Sequence, residues 1–263
     1  MPSVHLRGID MFYESEGVGL PVMLLHGFPF NRTMWRDQFD FLKDRYRVIT
    51  PDLRGMGETT QGDLPSTMDE MARDLVALLD KLKLQRVILG GLSMGGYVAL
   101  NFYRKFDLRV RGLMLFDTRA EADTPEAKEN RERLAQRAET EGMDPVVEAF
   151  LPKLLAPATF EEQPEVVERL RSMMLTTRPE GAAAALRGMA ARTDSTSVLD
   201  RIMAPTLIVV GSEDAITTVA DAKMMRREIM GSHLEIIEGA GHVSNFERPG
   251  EFNRAVENYL ATL

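Results

Sequence analysis

Ser93 lies in Gly91-Leu92-Ser93-Met94-Gly95, behind the apolar run Val87-Ile88-Leu89 and ahead of the helix-like stretch Tyr97-Val98-Ala99-Leu100-Asn101-Phe102. A serine at a sharp strand-to-helix turn projects Oγ into a cleft, where it can attack a carbonyl carbon. Glycines two positions either side let strand and helix approach without Cβ clashes. The Met94 amide, the first after the serine, then opens the helix and points at the atom under attack.

A serine hydroxyl is a weak nucleophile until a base takes its proton, and imidazole suits that task near neutral pH. The chain has four histidines. His5 lies in the opening segment and His233 begins a strand-like run. His26 and His242 each follow an apolar run, at the carboxyl ends of expected strands. His242, in Gly239-Ala240-Gly241-His242-Val243, sits on a small-residue loop that can swing its ring toward Ser93 and is the expected base. His26, in His26-Gly27-Phe28-Pro29, is read as structural, fixing the loop that carries a second oxyanion donor. A tetrahedral intermediate needs two such N–H groups, expected from Met94 and Phe28. The imidazole also needs an orienting carboxylate. Asp214 follows Leu207–Val210 and Asp117 follows Leu113–Phe116; Asp214 is favoured and Asp117 is the alternative. An imidazole base predicts activity that falls below about pH 6.

These side chains need a scaffold that brings strand ends together. Val4–Gly8 and Ile9–Glu14 read as an antiparallel pair. Continuous apolar runs at Val22–Leu25, Arg47–Thr50, Val87–Leu89, Leu113–Phe116, Leu207–Val210 and Leu234–Ile237 suit strands covered on both faces, as in a parallel sheet. Ser66-Thr67-Met68-Asp69 resembles a capping box, with an apolar helical face behind it from Met68 to Leu82. Phe252, Ala255, Val256, Tyr259, Leu260 and Leu263 mark another such face. Alternating strands and helices predict an α/β doubly wound sheet with its ligand site beyond the strands' carboxyl ends. From Arg119 to about Val198 no strand is expected. Thr124-Pro125, Asp144-Pro145 and Arg178-Pro179 mark helix starts there, so residues 119–198 are expected to form a helical cap inserted after the sixth strand, with 1–118 and 199–263 as the core domain.

With 263 residues, 44% of them apolar, the chain can bury a large core. Its net charge of −8 argues against a nucleic-acid partner. The absence of cysteine removes thiol catalysis, disulfides and thiolate metal sites. No run approaches the roughly twenty apolar residues of a membrane span, and Met1–Arg7 lacks the pattern of an export signal. A cytoplasmic protein, without a membrane partner and either monomeric or homodimeric, is expected.

Four blocks resemble the α/β-hydrolase superfamily across essentially the whole chain: His26-Gly27-Phe28-Pro29, Pro51-Asp52-Leu53-Arg54-Gly55-Met56-Gly57, Gly91-Leu92-Ser93-Met94-Gly95-Gly96 and Gly239-Ala240-Gly241-His242. The order Ser93, Asp214, His242 is that superfamily's chain order. Met173-Met174 to Asp194-Ser195, Leu199-Asp200-Arg201-Ile202 and Ala240 to Pro249 resemble its 3-oxoadipate enol-lactonase and small carboxylesterase branch. The resemblance implies a serine carboxylic-ester hydrolase acting on small esters or lactones through an acyl-enzyme, with no metal or organic cofactor. Epoxide hydrolases and haloalkane dehalogenases of this superfamily carry aspartate where this chain has Ser93. C–C bond hydrolysis in aromatic catabolism, a perhydrolase side activity linked to Pro29, and a non-enzymatic small-ligand receptor are the other roles the resemblance allows. Asp52 and Arg54 are expected to brace a loop. Phe28, Phe30, Trp35, Met143 and Phe150 are candidates for lining the substrate pockets, and most of the seventeen methionines are expected to fill the core.

Overall fold

The computed structural model describes residues 2–263. Its strands are β1 (Ser3–Leu6), β2 (Ile9–Glu16), β3 (Pro21–Leu25), β4 (Arg47–Pro51), β5 (Val87–Leu92), β6 (Val110–Phe116), β7 (Thr206–Gly211) and β8 (His233–Ile237). They form one sheet in the order β1-β2-β4-β3-β5-β6-β7-β8. The two pairings made by β2 are antiparallel and the rest are parallel. Every strand expected from the apolar runs is present, with ends shifted by up to three residues.

The continuous apolar runs reflect burial on both faces. Along β3, Val22 and Leu24 enter one core layer while Met23 and Leu25 enter the other. β7 divides in the same way, Leu207 and Val209 against Ile208 and Val210. Side chains alternate across a strand, so a strand between two helical layers must be apolar at every position.

The helices before the cap are α1 (Arg36–Leu42), α2 (Met68–Lys81) and α3 (Met94–Phe106). The cap supplies α4 (Pro125–Glu141), α5 (Asp144–Leu154), α6 (Pro157–Glu162), α7 (Pro164–Leu175) and α8 (Pro179–Ala190), and α9 (Thr196–Leu199) leads back to the sheet. They are followed by α10 (Val219–Glu228), α11 (Ser244–Glu247) and α12 (Pro249–Leu260). α2 and α3 pack their apolar faces into the layer holding Met23 and Leu89, whereas α1 and α12 pack into the layer holding Leu24 and Ile88.

Local sequence explains the boundaries. Thr67 caps α2 by accepting the Glu70 N–H, so the cap falls one residue after the Ser66-centred box expected from the sequence. Ser66 instead donates to the Gln61 side chain at 3.0 Å. Thr124 caps α4 and Arg178 precedes α8, each with proline at the first helical position. α5 begins one residue earlier than Asp144-Pro145 implied, with Met143 as the residue before it. No strand lies between β6 and β7 among the described residues. α9 straddles the expected cap boundary at 198/199.

Candidate active site

Ser93 sits between β5 and α3 with φ 53° and ψ −113°, in the left-handed half of backbone space that a serine rarely occupies. Hydrogen bonds on both sides hold it there. Its N–H donates to the Phe116 carbonyl at 2.9 Å, and its carbonyl accepts the Thr118 hydroxyl at 2.9 Å and the Tyr97 N–H at 3.1 Å. A Cβ on Gly95 would overlap the Leu25 carbonyl, and one on Gly91 would overlap that of Gly95. Only glycine permits this crossing of β3, β5 and α3. The side chain is thereby lifted out of the sheet and remains partly open, while its neighbours are buried.

His242 lies on the loop between β8 and α11, and Asp214 on the loop between β7 and α10. The Ser93 hydroxyl is 2.8 Å from His242 Nε2, and His242 Nδ1 is 2.8 Å from Asp214 Oδ2. A carboxylate can only accept, which puts the proton on Nδ1 and leaves Nε2 to accept from Ser93. Asp214 Oδ1 also accepts the N–H groups of Ile216 and Thr217, at 2.8 and 2.9 Å, and Oδ2 accepts the Thr217 hydroxyl at 2.7 Å. Burial pushes this carboxyl up, yet the His242 imidazole and the Thr217 donors outweigh it and hold Asp214 below the usual carboxylate range. The structure therefore brings Ser93, Asp214 and His242 into one hydrogen-bonded line. A serine in this arrangement can lose its proton to the imidazole as Oγ attacks.

Asp117, the alternative acid, occupies the end of β6 and does not touch His242. Its Oδ1 accepts the Gly211 N–H at 2.8 Å and its Oδ2 the Ser244 hydroxyl at 2.6 Å. Complete burial, reinforced by the nearby Asp214 charge, raises its pKa well above the ordinary value. The carboxyl groups are thus pushed apart: the one on the imidazole toward ionisation, the one behind it toward neutrality.

The loop after β3 carries Phe28. The Met94 amide has no intrahelical acceptor because it opens α3, and the Phe28 amide makes no hydrogen bond to another described residue. His26 braces this loop. Its Nδ1–H donates to the Gly27 carbonyl at 2.8 Å, and Nε2 accepts the Leu53 N–H at 3.0 Å. Burial lowers its pKa, against Asp52 and the Gly27 carbonyl, which raise it. A neutral His26 is what the Leu53 N–H requires. Asp52 accepts the Arg32 and Glu58 N–H groups at 2.7 and 2.9 Å, while Arg54 pairs with Asp74 at 2.7 Å, both away from Ser93.

The cap closes on the same loop. The Thr177 hydroxyl donates to the Pro29 carbonyl at 2.7 Å, and the Phe28 and Phe150 rings meet edge to face with centroids 5.3 Å apart. Met143 joins the Phe28 cluster, with Phe150 packed against it. Next to Phe150 is a hollow of about 560 Å³, walled by Leu134, Phe150, Leu186 and Ile216 on one hand and by the charged Arg119, Asp123, Arg131 and Lys153 on the other; none of Ser93, His242, Phe28 and Met143 lines it. Trp35 does not reach the cleft, which corrects the sequence reading. It is completely buried, with its indole against Phe116 at 5.8 Å and Phe252 at 6.1 Å. The turn Arg32–Trp35 feeds straight into α1, whose inner face packs beneath the sheet. Phe30 is also completely buried in that layer, so neither ring has surface to offer a ligand entering beside Ser93.

Glu247 plays a part that the sequence reading missed. Its buried carboxylate accepts the Gly241 N–H at 2.6 Å, the Ala156 N–H at 2.8 Å and the Thr159 hydroxyl at 2.5 Å. One side chain thus joins the His242 loop to the start of α6. Burial raises its pKa, with the three donors opposing. Thr217 was missed too. Being three residues from Asp214, a Thr-for-acid spacing after a strand was the available signal. Among the described residues no group of three or more His, Asp or Glu side chains could hold a metal ion, and no helix is long and apolar enough to cross a membrane.

The profile described as "Alpha/beta hydrolase family" matches residues 22–255. A 3-oxoadipate enol-lactonase from Acinetobacter baylyi is 33% identical over 227 residues, covering 86% of this chain and 83% of that protein. The structure of a thermophilic esterase from Thermogutta terrifontis superposes with a TM-score of 0.95 at 46% identity, covering 99% of this chain and 96% of the other. An enol-lactonase from Burkholderia xenovorans superposes with a TM-score of 0.91 at 28% identity, covering 99% of this chain and all (100%) of the other.

Proposed function

The chain belongs to the alpha/beta hydrolase family, and from that premise we propose that it hydrolyses small carboxylic esters or lactones through an acyl-enzyme on Ser93. The observation that carries this reading is the run of two 2.8 Å contacts, Ser93 to His242 and His242 to Asp214.

His242 Nε2 takes the hydroxyl proton as Ser93 Oγ attacks the carbonyl carbon. Asp214 holds the imidazole with its proton on Nδ1 and stabilises the imidazolium that forms. The Phe28 and Met94 amides donate to the oxyanion, where charge develops in the transition state. When the tetrahedral intermediate collapses, the imidazolium gives its proton to the leaving alkoxide. Water then loses a proton to His242 and attacks the acyl carbon, and as this second intermediate collapses the imidazolium returns that proton to Ser93 Oγ, freeing the serine and the acid. In a lactone the leaving alkoxide remains tethered to the acyl group, so the same steps open a ring.

Residues 119–198 act in this reading as the cap that shapes the pocket, with 1–118 and 199–263 as the catalytic core. Phe28, Met143 and Phe150 form its apolar wall. The lactone form of the reading draws support from the two enol-lactonase relatives, and the ester form from the Thermogutta terrifontis esterase.

The test is a p-nitrophenyl ester series, acetate through decanoate, with enol-lactones alongside, on wild type and Ser93→Ala. Turnover that disappears in the variant is expected. Equal rates for the two proteins on every substrate would overturn the reading.

A further inference from the structure

A second cavity, of about 170 Å³, lies between the start of α2, the outer face of α3 and the loops that follow β6 and α8. None of Ser93, Asp214 and His242 lines it. Its walls carry four cations, Arg104, Lys105, Arg119 and Arg192, against one carboxylate, Asp69.

The cations are unequally matched. Lys105 is held by Asp69 at 2.5 Å, and Arg192 by Asp123 at 2.8 Å. Asp123 is also taken by Arg131, at 2.5 Å, so the 3.8 Å that separates it from Arg119 is its weakest contact. The Arg119 Nε is buried and makes no hydrogen bond among the described residues. Arg104 has no carboxylate within 4.0 Å among them, and its partner is the neutral Asn101 side-chain oxygen. Arg119 also lies beside the Tyr97 hydroxyl and in the field of Asp123 and Asp221, which together outweigh its burial and raise its pKa, so Arg104 is the guanidinium of this cavity without a carboxylate partner among the described residues, in a chain whose net charge is −8. Both guanidinium groups line the one cavity, and the planar fork of arginine fits the paired oxygens of phosphate or carboxylate.

We propose that this cavity is a binding site for a small, multiply charged oxyanion, a phosphate or a short dicarboxylate, held between Arg104 on α3 and Arg119 after β6. The site is independent of the hydrolase reading. It does, however, border the nucleophile: Tyr97 in its wall is one helical turn past Ser93, whose carbonyl it binds.

Calorimetric titration of the full chain with inorganic phosphate, and separately with succinate, tests it at constant ionic strength set with potassium chloride. One saturable anion per chain is expected, weakened about tenfold or more by Arg104→Gln or by Arg119→Gln. Ser93→Ala and Arg137→Gln, the latter on an exposed arginine paired with Glu141, should bind as wild type does. Tighter phosphate binding identifies a phosphoryl ligand, and tighter succinate binding a dicarboxylate. Arg104 and Arg119 belong to different elements, so either variant suffices if the other fails to fold. The proposal is overturned if neither anion saturates, if both arginine variants bind like wild type, or if Ser93→Ala abolishes binding and so assigns the anion to the cleft.

Discussion

The Ser244 hydroxyl donates to Asp117 at 2.6 Å, across the sheet end that separates the Asp214 loop from the His242 loop. Asp117 also accepts the Gly211 N–H, so one buried carboxyl ties the end of β7 to the segment just past His242. It supports both partners of Ser93 without touching the imidazole.

That geometry separates the two acids by experiment. Asp214→Asn offers the imidazole an amide and favours the wrong tautomer, so kcat should fall by about 10⁴. Asp117→Asn keeps an acceptor for Gly211, and Ser244 can rotate to accept, so kcat should stay within about tenfold of wild type. Asp117→Ala leaves two buried donors unsatisfied, each costing about 1–3 kcal/mol, and should destabilise the fold by roughly 2 kcal/mol or more in urea unfolding. If Asp117→Asn were the more damaging to kcat, the assignment of the acid would be reversed.

His26 makes stability depend on pH in a definite direction. Its folded pKa is lowered from 6.5, so below about pH 6.5 the unfolded chain binds the proton and the folded chain does not, and stability falls with pH by at most about 1.4 kcal/mol per unit. Asp117 and Glu247, both raised by burial, act in the opposite sense, because there the folded state takes up protons first. Urea midpoints of wild type minus His26→Gln, measured from about pH 7.5 down to pH 5, isolate the histidine. The variant should lose less stability than wild type over that interval.

Glu247→Ala removes the acceptor for three donors at once, on Gly241, Ala156 and Thr159. Each unsatisfied buried donor costs about 1–3 kcal/mol, so a loss of roughly 3 kcal/mol or more is expected. Because Gly241 precedes His242, kcat of the protein that remains folded should fall while KM changes little. Glu247→Gln keeps one or two of the bonds and should lie between the two. Unfolding curves and steady-state kinetics on the same samples check this.

Phe150→Ala should enlarge the apolar wall that Phe28 and Phe150 share. The ratio of kcat/KM for p-nitrophenyl octanoate over acetate is expected to rise about tenfold, in keeping with the 1–3 kcal/mol that one methylene is worth in an apolar pocket. The same substitution at Trp35, buried between Phe116 and Phe252, should cost about 3–5 kcal/mol of stability. It should leave the chain-length ratio of the folded fraction unaltered.

Local rules carried the sequence a long way. Strands β3, β5 and β7 were legible because burial on both faces leaves no polar position to disguise them. The elbow was legible because the turn demands glycine at set spacings, and the helix starts because proline tolerates only the first turn. Ser93, Asp214 and His242 could be proposed together since each follows a strand, where a doubly wound sheet collects its ligand groups. The contacts that join distant segments were left to the tertiary structure. Asp117 and Asp214 are alike in sequence, and only the loop path after β7 gives one of them the imidazole. Trp35 and Phe150 are equally apolar, and only packing sends one beneath the sheet and the other to the cap. Glu247 meets Ala156 across 91 residues of chain, and no pattern of nearby residues encodes a contact of that kind. It exists because buried N–H groups on two separate loops must find an acceptor.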